Sequence, residues 1–127
     1  MKISKNWISE FIKTPAANVL ENELTQLGLE VDTIKKIKND YVFNIEFTPN
    51  RGDCLSVLGT SRDLAAYKNT KIKLPLISPF TIDKKNNFIK KVSAEICSEY
   101  RFMKLSMKNM IIKTPKYISD RLVKSDI

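Results

Sequence analysis

One stretch constrains this chain more than any other, the run from Tyr41 to Tyr67. Tyr41 to Phe47 alternates in the manner of a strand, and Pro49 ends strand pairing because it has no backbone N–H to donate. Asn50 and Gly52 suit a turn, since both tolerate left-handed backbone. Asp53 reads as the N-cap of a following helix, its carboxylate facing the positive end of the helix dipole. From Ser56 to Tyr67 the apolar and small residues recur at helical spacing. Cys54, Leu55, Val57, Leu58, Ser61, Leu64 and Ala65 are assigned to one side. A strand, a sharp polar corner and an amphipathic helix thus follow one another, and any fold must join them there.

The segments before the corner predict helix and strand in turn. Ser4 caps a helix expected over Lys5 to Lys13, with Ile3 and Ile8 as a hydrophobic staple across the cap. Trp7, Ile8, Phe11 and Ile12 make its apolar stripe, and Trp7 is read as core packing rather than ligand stacking. Thr14-Pro15 breaks that helix. A second is expected over Ala17 to Leu27, where Asn18 and Glu21 have capping-box spacing and Leu20, Leu24 and Leu27 share a face. Gly28 then supplies a left-handed C′ position with Leu29 as the apolar residue after it. Val31 to Ile37 predicts a strand of imperfect alternation, and Lys38-Asn39-Asp40 a short turn into the strand at Tyr41.

Beyond Tyr67 the pattern loosens. Pro75 and Pro79 punctuate an extended Ile72–Phe80 segment, and Asp83 to Asn87 is a polar linker. Strands are expected over Phe88–Ile96 and Tyr100–Met110. Met103, Met107 and Met110 are read as adaptable packing rather than a ligand surface. A helix starts at Thr114 with Pro115 at its first position and continues through Tyr117, Ile118, Arg121 and Leu122. The last five residues, Val123 to Ile127, hold no capping glycine. The fold class is therefore α+β, with domains expected at 1–80 and 88–127 joined by a linker at 81–87.

Composition narrows the function classes. Of 127 residues 43% are hydrophobic and 28% charged, which is ordinary for a globular chain. No apolar run reaches the roughly 18–20 residues of a membrane span, and Met1 to Lys13 lacks the apolar core of a signal peptide, so the expected address is cytoplasmic. The net charge of +8 invites nucleic-acid binding, but lysine supplies 18 of the 22 basic residues and is spread from Lys2 to Lys124. A dedicated phosphate-binding face would draw more on arginine, whose fork of donors fits phosphate. The chain has no histidine, which removes Ser-His-Asp and Cys-His catalysis, and its three glycines are isolated, which removes nucleotide-binding loops. Cys54 and Cys97 are read as reduced structural thiols, with no metal-site spacing. No catalytic, cofactor-binding or metal residue is assigned.

The string TPNRGDCLSVLGTSRDLAAY, Thr48 to Tyr67, resembles the corresponding stretch of the bacterial phenylalanine–tRNA ligase beta subunit, as do the opening MKIS…W and the LGLEVD step. The resemblance implies a B1-type domain, helices on a small, mainly antiparallel sheet, followed by the incomplete start of a B3/B4-type α/β editing domain over about Val92 to Leu122. The chain departs from the common pattern between Ile37 and Tyr41, where many beta subunits carry an inserted oligonucleotide-binding (OB-fold) module. Here the connection is only hairpin-sized. On this resemblance the chain is an N-terminal piece of a class II aminoacyl-tRNA synthetase, inactive by itself. Its parent, an α2β2 heterotetramer with the alpha subunit, charges tRNA(Phe) with phenylalanine using ATP and magnesium bound elsewhere. The alternative is a free-standing small basic RNA- or DNA-binding module. The residues singled out are Thr48, Pro49, Asn50, Arg51, Asp53, Cys54, Arg62 and Asp63. They are read either as a corner network, with Arg51 or Arg62 pairing with Asp53, Asp63 or Glu46, or as an interface in which Asn50 and Arg51 reach a partner subunit or tRNA backbone.

Overall fold

The computed structural model describes residues 1–77, 95–96 and 113–127. The chain divides into two compact units, one of Met1–Pro75 with Thr114–Ile127 and one of Leu76–Lys113. The linker at 81–87, the second expected strand, Cys97 and the three methionines lie outside the described residues. Of the first expected strand only 95–96 is described, as a turn.

The first unit is a small α+β domain. Its sheet has three antiparallel strands, β1 (Lys2–Ser4), β2 (Glu30–Ile37) and β3 (Asp40–Glu46), in the order β1-β3-β2. Strand β1 was not expected, because three residues before a helix cap carry no alternation that could announce a strand. It forms by pairing Lys2 with Asn44, Ile3 with Phe43 and Ser4 with Val42. The imperfect alternation of β2 has a structural cause. Val31 pairs with Ile45 but Thr33 with Asn44, so the register slips by one residue at Asp32. This bulge turns Asp32 outward, where the Asn44 amide donates to its carboxylate at 3.0 Å. A two-residue loop, Lys38-Asn39, closes the hairpin, with Lys38 in the left-handed region at φ 54°.

The helices are α1 (Lys5–Ile8), α2 (Ala17–Gln26), α3 (Val57–Tyr67) and α4 (Lys116–Lys124). Ser4 caps α1 as expected, accepting from the Trp7 N–H at 3.1 Å. The helix is shorter than its apolar stripe suggests: after Ile8 the Glu10 and Phe11 amides bond three residues back, to Trp7 and Ile8, and the turn tightens. The capping box at the start of α2 does not form. Ala16 occupies the N-cap position without a side-chain bond, and Asn18 lies inside the first turn.

The C-terminus of α2 follows the sequence closely. Gly28 has φ 76°, its N–H reaches the Thr25 carbonyl at 2.9 Å, and the Leu29 N–H reaches that of Leu24 at 3.0 Å. These are the paired bonds of a Schellman cap. The same pair recurs where no glycine marks it. Asn69 (φ 49°) ends α3, and Asp126 (φ 62°) ends α4 with the Ile127 N–H on the Leu122 carbonyl at 2.9 Å. So the last helix is capped, by an aspartate that tolerates left-handed backbone. Pro115 is its N-cap and not its first helical residue, so the helix begins at Lys116, later than expected.

One core holds the unit together. Ile3, Phe43 and Ile45 on one sheet face meet Ile8, Ile12, Leu20, Leu24, Leu29, Leu64 and Ala65, with Cys54 sealing one end. Leu20 and Leu24 are fully buried, and truncating either to alanine removes about 2–5 kcal/mol. Trp7 is half-buried rather than central, and lies under α4. That helix, expected with the residues preceding it, lies in the first unit.

Candidate functional site

The corner is built by two successive tight turns. Strand β3 ends at Glu46, and Thr48 to Arg51 form a turn closed by the Arg51 N–H on the Thr48 carbonyl at 2.9 Å, with Pro49 and Asn50 at its tip. A 3-10 turn over Gly52–Cys54 follows, and the chain bends again before α3. This second bend overturns the assignment of Asp53 as the helix cap. The cap is Ser56, extended at φ −157° and ψ 156°, whose hydroxyl accepts from the Gly59 N–H at 2.9 Å. Leu55, placed by spacing on the apolar face, precedes that cap and is exposed.

Asp53 is instead bound by Arg51. The guanidinium grips it as a fork, Nε to Oδ1 at 3.1 Å and Nη2 to Oδ2 at 3.2 Å. Nη1 donates to the Leu27 carbonyl at 3.2 Å, at the end of α2, and Nη2 also reaches the Asp63 carboxylate on α3 and the Cys54 sulfur at 2.8 Å. One arginine therefore ties the corner to two helices. The Asp53 and Asp63 carboxylates hold its guanidinium more firmly protonated than usual, and the Asp53 carboxyl sits below the ordinary range, chiefly because Arg51 donates to it.

Cys54 is fully buried and carries a free thiol. Burial, with the neighbouring Asp53 and Asp63 carboxylates, pushes that thiol up to about 12. At neutral pH the free thiol is protonated, which makes it a poor nucleophile. Asp53, Cys54 and Asp63 bring three ligand-type atoms within 4.8 Å of one another. All three bond to Arg51 Nη2, so the guanidinium supplies the positive charge of this cluster.

The structure thus brings Arg51, Asp53, Cys54 and Asp63 together. Thr48, Pro49 and Asn50 are exposed at the turn, and Arg62 is exposed on α3. Among the described residues neither Arg62 nor Glu46 forms an ion pair. Sequence reasoning missed the Leu27 carbonyl, which carries no residue-type signal, and two further groups in α3. Thr60 Oγ1 donates to the Cys54 carbonyl at 3.1 Å. Gly59 lies so close to the corner that a Cβ built on it would fall 1.9 Å from the Asp53 carbonyl oxygen. The Ser56-x-x-Gly59 spacing was the available clue.

These features define a small α+β domain whose strand–corner–helix junction is pinned by one arginine. No protein-family profile matches the chain. By sequence it is related to a short segment of phenylalanine–tRNA ligase beta subunits. It is 33% identical over 131 residues to the chloroplastic beta subunit of Porphyra purpurea, which takes in 96% of this chain and 18% of that protein. With the beta subunit of Fusobacterium nucleatum it shares 37% over 114 residues, 88% of this chain and 14% of the relative. A 50-residue stretch is 50% identical to that of Campylobacter jejuni, 39% of this chain and 6% of the relative. The chain spans less than a fifth of the length of these relatives.

Proposed function

We propose that this chain acts as the N-terminal, B1-type module of a phenylalanine–tRNA ligase beta subunit, with the start of a B3/B4-type unit after it. Its part in charging tRNA(Phe) is architectural: it positions the beta subunit against the alpha subunit in an α2β2 assembly in the cytoplasm. ATP, magnesium and phenylalanine bind elsewhere in that assembly, and tRNA meets this chain only through the complex. The observation that carries this reading is the 33% identity sustained over 96% of the chain.

Two further features support it. Arg51, the corner's most donor-rich side chain, spends its donors on Asp53, Asp63, Cys54 and the Leu27 carbonyl, which suits a framework better than an RNA contact. The hairpin loop at Lys38-Asn39 has room for no inserted OB-fold module, and the Porphyra match, 131 residues against a chain of 127, leaves none either.

The test is a pull-down of this chain with the same organism's alpha subunit and tRNA(Phe) at moderate salt. Capture of the alpha subunit is the expected result. Salt-resistant RNA binding without the alpha subunit would replace this reading with the independent nucleic-acid module. Binding to neither would remove the assembly role from this chain.

A further inference from the structure

The three-stranded sheet has two faces, and different forces cover them. Phe43, Ile45 and Ile3 point into the core. Side chains alternate along a strand, so Ser4, Asp40 and Val42 point the other way. All three are buried, yet none belongs to the core cluster. Among the described residues, what lies on that side is α4.

The attachments of α4 are charged. Lys124 Nζ donates to Asp40 Oδ2 at 2.6 Å, Lys2 pairs with Asp126, and Arg121 pairs with Glu10. The Arg121 guanidinium also lies 4.8 Å from the centre of the Trp7 ring, a cation–π contact. No residue of α4 is buried, whereas α2 buries two and α3 five. Val123 and Ile127 remain 69% and 81% exposed. The helix therefore buries none of its own residues fully, although Ile118 is half-buried and Val42 lies on the sheet face it covers.

The seat tolerates its departure. Asp40 accepts from the Ser4 hydroxyl at 2.6 Å, the Asn6 N–H at 3.0 Å and the Tyr41 N–H at 2.8 Å, so three donors remain when Lys124 leaves. Opening lets water replace the fourth and strands no buried charge.

We propose that α4 is a detachable strap, held across the second face of the sheet chiefly by charge, and that its release uncovers Trp7, Val42 and Asp40 while the core stays folded. The occupant of this seat is the basic face of α4 itself, Arg121 and Lys124. The exposed pairs Lys2–Asp126 and Arg121–Glu10 weaken as salt shortens the reach of charge, from about 30 Å at 0.01 M to about 3 Å at 1 M, and the partly buried Lys124–Asp40 pair weakens less. Burial of a core helix shows no such weakening.

Trp7 is the only tryptophan in the chain and reports the seat directly. Acrylamide, an uncharged quencher, is titrated against Trp7 fluorescence on the whole chain at low and high sodium chloride, with far-UV circular dichroism recorded alongside. The expected result is low quenching at low salt, rising with salt while the circular dichroism of the folded unit persists. An Arg121→Gln/Lys124→Gln variant is expected to start at the high-salt level and respond little to salt. Quenching indifferent to salt, quenching that rises only with loss of the whole fold, or a variant that keeps the wild-type salt response would each overturn the proposal.

Discussion

Gly59→Ala is expected to destabilise the domain, although alanine is the better helix former. Gly59 is the third residue of α3, where alanine would by itself gain about 0.8–1 kcal/mol. Its new Cβ, however, would lie 1.9 Å from the Asp53 carbonyl oxygen, 3.0 Å from the carbonyl carbon and 3.2 Å from the Cys54 Cα. These are backbone atoms and cannot rotate away. Relief requires the helix and the corner to part by at least about 1 Å. That movement strains the Ser56–Gly59 cap and the bond from Thr60 Oγ1 to the Cys54 carbonyl, each worth about 1 kcal/mol. It also opens the packing around buried Leu64, at about 1–3 kcal/mol for an overpacked core. After the helix-propensity gain, the net loss is about 2–4 kcal/mol. Urea unfolding followed by circular dichroism measures it as a lower midpoint at unchanged slope. A Gly59→Ala protein as stable as wild type, or more so, would refute the close approach of α3 to the corner.

Three further outcomes follow from the geometry. Arg51→Ala should lower the melting temperature, and Arg51→Lys should restore little of it, because an ammonium cannot fork onto Asp53 while reaching Leu27 and Asp63; equal melting of Arg51→Lys and wild type would contradict this. Burial alone would raise the Asp40 carboxyl, but bonds from Lys124, Ser4 and the Asn6 N–H outweigh it and hold the group below its ordinary value of 3.8. Its contribution is therefore present above that value and lost as pH falls through the lower folded one, so wild-type stability should drop below about pH 4. Asp40→Asn should cost about 1–3 kcal/mol at neutral pH and flatten the acid limb; a titration with the wild-type acid slope would count against it. Finally, Gly28→Ala meets nothing within 4 Å, so its cost is conformational, about 1–2 kcal/mol for left-handed backbone. Gly28→Asn should lose less, and a urea midpoint for asparagine no higher than for alanine would exclude that cause.

The sequence by itself determined what rests on neighbours along the chain. The Ser4 cap, the Gly28 stop and the strand–corner–helix order depend on backbone preferences and spacing within a few residues, and all three are present. The imperfect alternation of β2 was legible, but its cause, the bulge at Asp32, was not. The string from Thr48 to Tyr67 also pointed to the beta subunits to which the chain is related. Tertiary structure decided the rest. Strand β1 exists only because β3 offers an edge, Asp53 left its expected cap because Arg51 holds its carboxylate, and Trp7 lies under α4 instead of in the core. Asp40 meets Lys124 across 84 positions. Such pairings depend on where the folded chain returns in space, which no local spacing or propensity encodes.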